Sequence, residues 1–165
     1  MTKIVSNASP IIALSRIGML SLLPLLFDQI FMPNAVYEEI TQAGILRPGA
    51  AETELAVANG VITLFTVKDQ ILVEHLSGKL HRGELEVIIG AKEIGLQTVL
   101  IDEKAARKLA DTFLISSIGT LGILLLANQF NLIQDLQFYL DALLGIGFRI
   151  NKDMYQRIQR QISEG

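Results

Sequence analysis

Carboxylates recur in three segments that lie far apart in the chain, each beside a predicted element boundary. They are Glu38 and Glu39 in VYEEI, Glu84 and Glu86 in HRGELEV, and Asp102 and Glu103 in VLIDEKAAR. A fourth boundary of the same kind, the end of the first predicted strand, carries Asn7 in IVSNASP. Acids that converge from separate segments repel one another unless a cation lies between them. Oxygen donors from three or four segments suit a hard, six-coordinate ion such as Mg²⁺ or Mn²⁺. Such ions position and activate water and stabilise the leaving oxygen when a phosphodiester is cut.

Every one of these residues also has a structural role open to it. Glu84 and Glu86 in a first helical turn complement the helix dipole, worth about 0.3–1 kcal/mol each. Asp102 can N-cap a helix starting at Glu103. Glu103 and Arg107 are i,i+4 partners, Glu38 and Glu39 can be solvated, and Asn7 can brace a turn.

The elements that must position these groups alternate between strand and helix. Short apolar strands are predicted at Lys3–Ser6, Gln29–Met32, Val61–Val67, Thr98–Ile101 and Leu114–Ile118, with Thr98–Ile101 apolar enough to be central. Ser9 as N-cap with Pro10 at N1 predicts the first helix, through IIALSRI. Further helices are predicted over SLLPLLF, AVYEEITQAG with Gly44 as terminator, AAETELAVANG, DQILVEHLSG, GELEVIIGAKEIG and EKAARKLADTF. GTLGILLLANQF, IQDLQFYLDALLG and NKDMYQRIQRQISEG follow, with ILRPG and GKLHRG as breaks. In the last helix Met154, Ile158 and Ile162 share the inward face, and Lys152, Arg157 and Arg160 lie elsewhere on the turn. Four or five such strands separated by helices predict one α/β domain around a mainly parallel sheet, whose sites lie at the carboxyl ends of the strands.

The bulk numbers narrow the function. A chain of 165 residues holds one domain with a real core. The net charge of −3 argues against a general polyanion binder and for a local acidic pocket with basic residues placed around it. With no cysteine, disulfides and thiolate metal sites are excluded, and two histidines are too few for a histidine-based metal centre. No apolar run approaches the roughly 18 residues of a membrane span, and the start of the chain has no secretory pattern, so the cytoplasm is the expected compartment.

In order, IVSNASPIIALSRIG, FMPNAVYEEI, GELEVIIGAKEIG, VLIDEKAARKLA, IGTLGILLLAN and GFRINKDMY resemble short prokaryotic proteins of the PIN-domain superfamily related to VapC toxins. The resemblance runs over about residues 3–160. It implies a three-layer α/β/α domain and a Mg²⁺- or Mn²⁺-dependent ribonuclease. By the same resemblance, the acidic cluster falls on Asn7, Glu39 (with Glu38 as the alternative), Glu84 with Glu86 as its neighbour, and Asp102, with Glu103 as an additional candidate. Ser9 and Thr120 would line the same edge, and Arg82, Lys104 or Arg107 would hold phosphate. The family's first position is normally Asp; Asn7 keeps an oxygen acceptor but loses the charge, and it cannot act as a base. The family resemblance also implies a homodimer and a small antitoxin partner.

Two functions follow from these residues. One is a metal-dependent endoribonuclease, the toxin of a toxin–antitoxin pair. The other is a PIN-fold protein weakened in catalysis, binding RNA or protein, for which Asn7 and the many-sided leucines of SLLPLLF and GILLLAN speak. A flavodoxin-like or receiver-like domain lacks its motifs here: there is no G-x-G-x-x-G or Walker A loop and no acidic pair at the first strand.

Overall fold

The computed structural model describes residues 2–42, 44 and 46–164. Ala43 of the predicted helix AVYEEITQAG, Ile45 of the break ILRPG, and Gly165 at the end of the predicted last helix lie outside the described residues. The chain runs β1 (Lys3–Ser6), α1 (Ala8–Arg16), α2 (Leu22–Leu26), β2 (Gln29–Pro33), α3 (Asn34–Thr41), α4 (Ala50–Ala58) and β3 (Ile62–Phe65). It continues α5 (Gln70–Leu76), α6 (Arg82–Glu93), β4 (Thr98–Leu100), α7 (Lys104–Thr112), β5 (Ser116–Ile118), α8 (Thr120–Gln129), α9 (Leu136–Gly145) and α10 (Lys152–Glu164).

All four strand pairings are parallel, and the order is β3-β2-β1-β4-β5. Helices flank the sheet, as expected for a three-layer α/β/α domain. Parallel strands covered on both faces must be apolar throughout. Ile4, Val5, Ile30, Met32, Val99 and Leu100 are accordingly buried. α6 lies across β1, β2 and β4, with α5 and α7 beside it, while α1, α2, α8 and α9 pack as a second group. In the leucine-rich helices Leu22, Leu23, Ile123 and Leu124 are buried, whereas Leu25 faces solvent and Leu121, Leu125 and Leu126 are half-buried.

Several boundaries differ from the sequence expectations for local reasons. The middle of the sheet is β1, and the predicted central strand, β4, is its interior neighbour. Ser9 does not cap α1: β1 stops at Ser6, the Asn7 N–H bonds the Leu100 carbonyl at 3.0 Å, and the helix begins at once, with Asn7 in the N-cap place. The third strand is shorter than predicted. The last strand begins at Ser116 because Leu114 takes a left-handed φ of 60° just after α7. α6 starts at Arg82, taking residues assigned to the GKLHRG break. On α10, Ile158 is buried and Ile162 half-buried, but Met154 is exposed and lines a surface cleft.

The chain reverses its direction of winding between β1 and β4. β1 pairs with β2 on one side and with β4 on the other, so crossovers leave to opposite sides. Such a switch point opens a crevice at the carboxyl ends of the two strands. Asn7 follows β1, and Asp102 and Glu103 lie just beyond β4.

Candidate functional site

A pocket of about 360 Å³ occupies that crevice, and Asn7, Ser9, Glu39, Glu84 and Glu103 line it together with Lys79 and His81. Each acid arrives by a different route. Glu39 sits late on α3, one helical step from the exposed Glu38, which lines a neighbouring surface cleft instead. Glu84 is in the first turn of α6 and is 4 % exposed. Glu103 is the N-cap residue of α7, in extended backbone, and its side chain makes no cap bond.

Gly83 sets the closest approach. A Cβ on Gly83 would lie 2.7 Å from Glu39 Oε2 and 3.5 Å from Asn7 Oδ1. These two oxygens therefore face one point on the bare backbone of the first turn of α6. Asn7 occupies an N-cap place, yet its side chain makes no capping bond, which leaves the buried amide turned to the pocket.

Glu84 carries the electrostatic signature of the crevice. One of its oxygens, Oε2, accepts the His81 N–H at 3.1 Å. Burial raises its pKa above the ordinary 4.5, against the lowering effect of His81, and repulsion from Glu103 and Glu39 adds to the rise. Three carboxylates thus feel one another at this point in the fold. The donors are carboxylate and amide oxygens, the ligand chemistry of a hard divalent cation. Among the described residues, no three Asp, Glu or His side chains stand close enough to form a finished coordination shell.

Asp102 is built differently. Its Oδ1 accepts the Thr120 N–H at 2.6 Å, and its Oδ2 accepts the Thr120 hydroxyl at 2.7 Å. It does not cap α7. It caps α8 from across the sheet edge, tying the end of β4 to the buried Thr120. Burial raises the Asp102 pKa; the two Thr120 bonds and the Arg107 guanidinium oppose that rise. Gly119 permits this approach, since a Cβ there would lie 3.0 Å from Asp102 Oδ1. Asp102 lines the next pocket along the edge, with Ser9, Glu103, Phe148 and Arg149.

The predicted basic residues divide. Arg82 forms an ion pair with the buried Glu86 at 3.2 Å and also bonds Gln70, so Glu86 is held by α5 and α6 and faces away from the acidic pocket. Arg107 pairs neither with Glu103 nor along its own helix; its Nε donates to Ser117 Oγ at 3.2 Å beside Asp102. Lys104 is exposed at the start of α7. Sequence reasoning gave no role to Gly83, Lys79, Phe148 or Arg149. The first stands inside the GELE motif and the last two inside GFRI, so the signal was present without a chemistry to attach to it.

The doubly wound parallel sheet with an acidic crevice at its switch point is an open α/β domain whose pocket lies at the carboxyl ends of the strands. A family model described as a PIN domain matches residues 3–164, and the chain belongs to that family. No curated protein matches the chain. Among the described residues, no helix is long and apolar enough to cross a membrane.

Proposed function

We propose that the protein is a metal-dependent endoribonuclease in which Asn7, Glu39, Glu84 and Glu103 hold Mg²⁺ or Mn²⁺. The observation that carries this reading is that Asn7 just after β1, Glu39 on α3, Glu84 on α6 and Glu103 just before α7 line one pocket of a PIN domain. A divalent ion bound there supplies a water of lowered pKa and charge stabilisation for the leaving oxygen. The chain's own residues do the rest. Glu39 and Asn7 present oxygens at one point over Gly83. Glu84 is fixed by the His81 N–H, and a cation would offset the burial and the repulsion from Glu103 and Glu39 that raise its pKa. Asp102 positions Glu103 by anchoring the end of β4 to Thr120.

Cleavage of single-stranded RNA in Mn²⁺, absent in EDTA and lost in Glu84→Gln and Glu39→Ala, tests the proposal. No cleavage with any divalent ion at high protein concentration would overturn it. In the cell the same reading makes the protein a cytoplasmic toxin, paired with a small antitoxin and acting as a homodimer. A neighbouring gene for a small DNA-binding protein and the mass in light scattering check those parts.

A second reading, a PIN domain weakened in catalysis, draws on the neutral Asn7 and on the Asp102 carboxylate being spent on Thr120. Metal-dependent cleavage appearing only in Asn7→Asp would favour it.

A further inference from the structure

Three pockets follow one another along the carboxyl edge, each sharing lining residues with the next. Ser9 and Glu103 line both the acidic pocket and the next, a pocket of about 490 Å³. Asp102, Phe148 and Arg149 line both that pocket and a third, a cleft of about 550 Å³. The cleft walls are apolar, formed by Leu121, Leu125 and Leu126 of α8, by Phe148, and by Met154 of α10. Arg107 and Arg149 stand among these residues, at the end nearest Asp102.

This sequence of surfaces has a chemical logic. A phosphodiester that enters a pocket of carboxylates is flanked by phosphates that those carboxylates repel. In a chain of net charge −3, they must be met by cations placed locally. Arg149 is exposed and Arg107 is oriented by Ser117, one step and two steps along from the acids. Past them, half-buried leucines and Phe148 form a wall for a flat apolar surface that has left its stack. A partner helix would fit apolar walls as well, but it gives no reason for two guanidiniums at the end that joins the acidic pocket.

We propose that this track binds a single strand of nucleic acid leaving the acidic pocket: Arg149 and Arg107 take its backbone phosphates, and the cleft between α8 and α10 takes a base. The proposal rests on the nuclease reading for the direction of the strand. Arg149 and Phe148 are then substrate-binding residues and the cleft is a base subsite.

The test is fluorescence anisotropy of the full chain with a labelled single-stranded octaribonucleotide in EDTA, so that binding is read without cleavage. Arg149→Glu, an exposed change whose fold is checked by thermal melting, should weaken binding about tenfold or more and lower the salt slope by about one. Leu125→Trp, which fills the cleft and leaves every charge in place, should weaken binding without changing the salt slope. Phe148→Ala should lose affinity for the octamer and little for a dinucleotide too short to reach the cleft. Unchanged affinity in all three variants, or no binding by the unmodified protein, overturns the proposal. Variants that alter the mass in light scattering but leave RNA affinity intact overturn it in favour of a protein-docking face. A chain that binds with these dependences and never cleaves in Mn²⁺ keeps the track and sinks the nuclease reading. A chain that cleaves, with variants indifferent in binding, does the reverse.

Discussion

Replacing Gly83 by alanine separates the acidic pocket from the fold that carries it. The new methyl would start 2.7 Å from Glu39 Oε2, so that oxygen must retreat to ordinary contact at 3.4 Å, a shift of about 0.7 Å. The obstacle is the tip of an exposed, flexible side chain, so the movement costs the fold little. Gly83 sits in α6 with no left-handed φ to preserve, and alanine in a helix is favoured over glycine by up to about 1 kcal/mol. A metal ligand, by contrast, is held within about 0.2 Å of its ideal distance. Disturbing one ligand or its support typically lowers affinity about 10–100-fold. Gly83→Ala should therefore melt at or above the unmodified protein in EDTA and bind Mn²⁺ at least tenfold more weakly. Calorimetric titration and a thermal melt on the same sample measure both. Unchanged Mn²⁺ affinity would refute Glu39 as a ligand, and a melt lowered by more than a few degrees would refute the steric reasoning.

Three other changes probe the same edge. Because burial holds the Glu84 pKa above 4.5 in the folded state, the stability linked to its protonation is complete below 4.5 and lost as pH rises through the folded value. Glu84→Gln should thus melt higher than the unmodified protein at pH 7 in EDTA, with the gap closing toward pH 4; a gap that does not narrow on acidification would contradict the electrostatic cause. Asp102→Ala leaves the Thr120 N–H and buried hydroxyl without their acceptor and should cost about 2–3 kcal/mol in denaturant unfolding. Its effect on Mn²⁺ affinity should be far smaller than that of Glu39→Ala, and the opposite ranking would make Asp102 a ligand. Asn7→Asp adds a fourth charge to the pocket, so its melting temperature should fall in EDTA and rise in Mn²⁺; no difference between the two conditions would place Asn7 outside the ion's reach.

The fold was legible because its signals are local. Apolar runs such as TVLI and IVS, closed by glycines and cap residues, marked a parallel sheet whose strands appear within a few residues of their expected limits. Mistakes arose where a tertiary bond outweighed a local rule. Ser9 before Pro10 looks like a cap, but β1 ends at Ser6 as expected, the Asn7 N–H is held by the Leu100 carbonyl, and the helix starts at once, at Ala8. Asp102 looks like the cap of the helix that follows it, yet its partner is Thr120, 18 residues away. Asp102 and Glu103 are adjacent beyond the end of β4 and line a neighbouring pocket together, but only Glu103 also lines the pocket with Asn7, Glu39 and Glu84, because the Asp102 carboxylate is taken by Thr120. Likewise, Glu38 and Glu39 differ by one helical step of about 100°, and which faces the crevice depends on how α3 lies against α6.

The account's central claim is that Asn7, Glu39, Glu84 and Glu103 form one cation site. Anomalous scattering from a crystal grown in Mn²⁺ measures this most directly. The account predicts a peak in the pocket at the end of β1, within about 2.0–2.4 Å of oxygens from at least three of these four residues. A peak on Asp102 and Thr120 instead, or none in that pocket at saturating Mn²⁺, would contradict it.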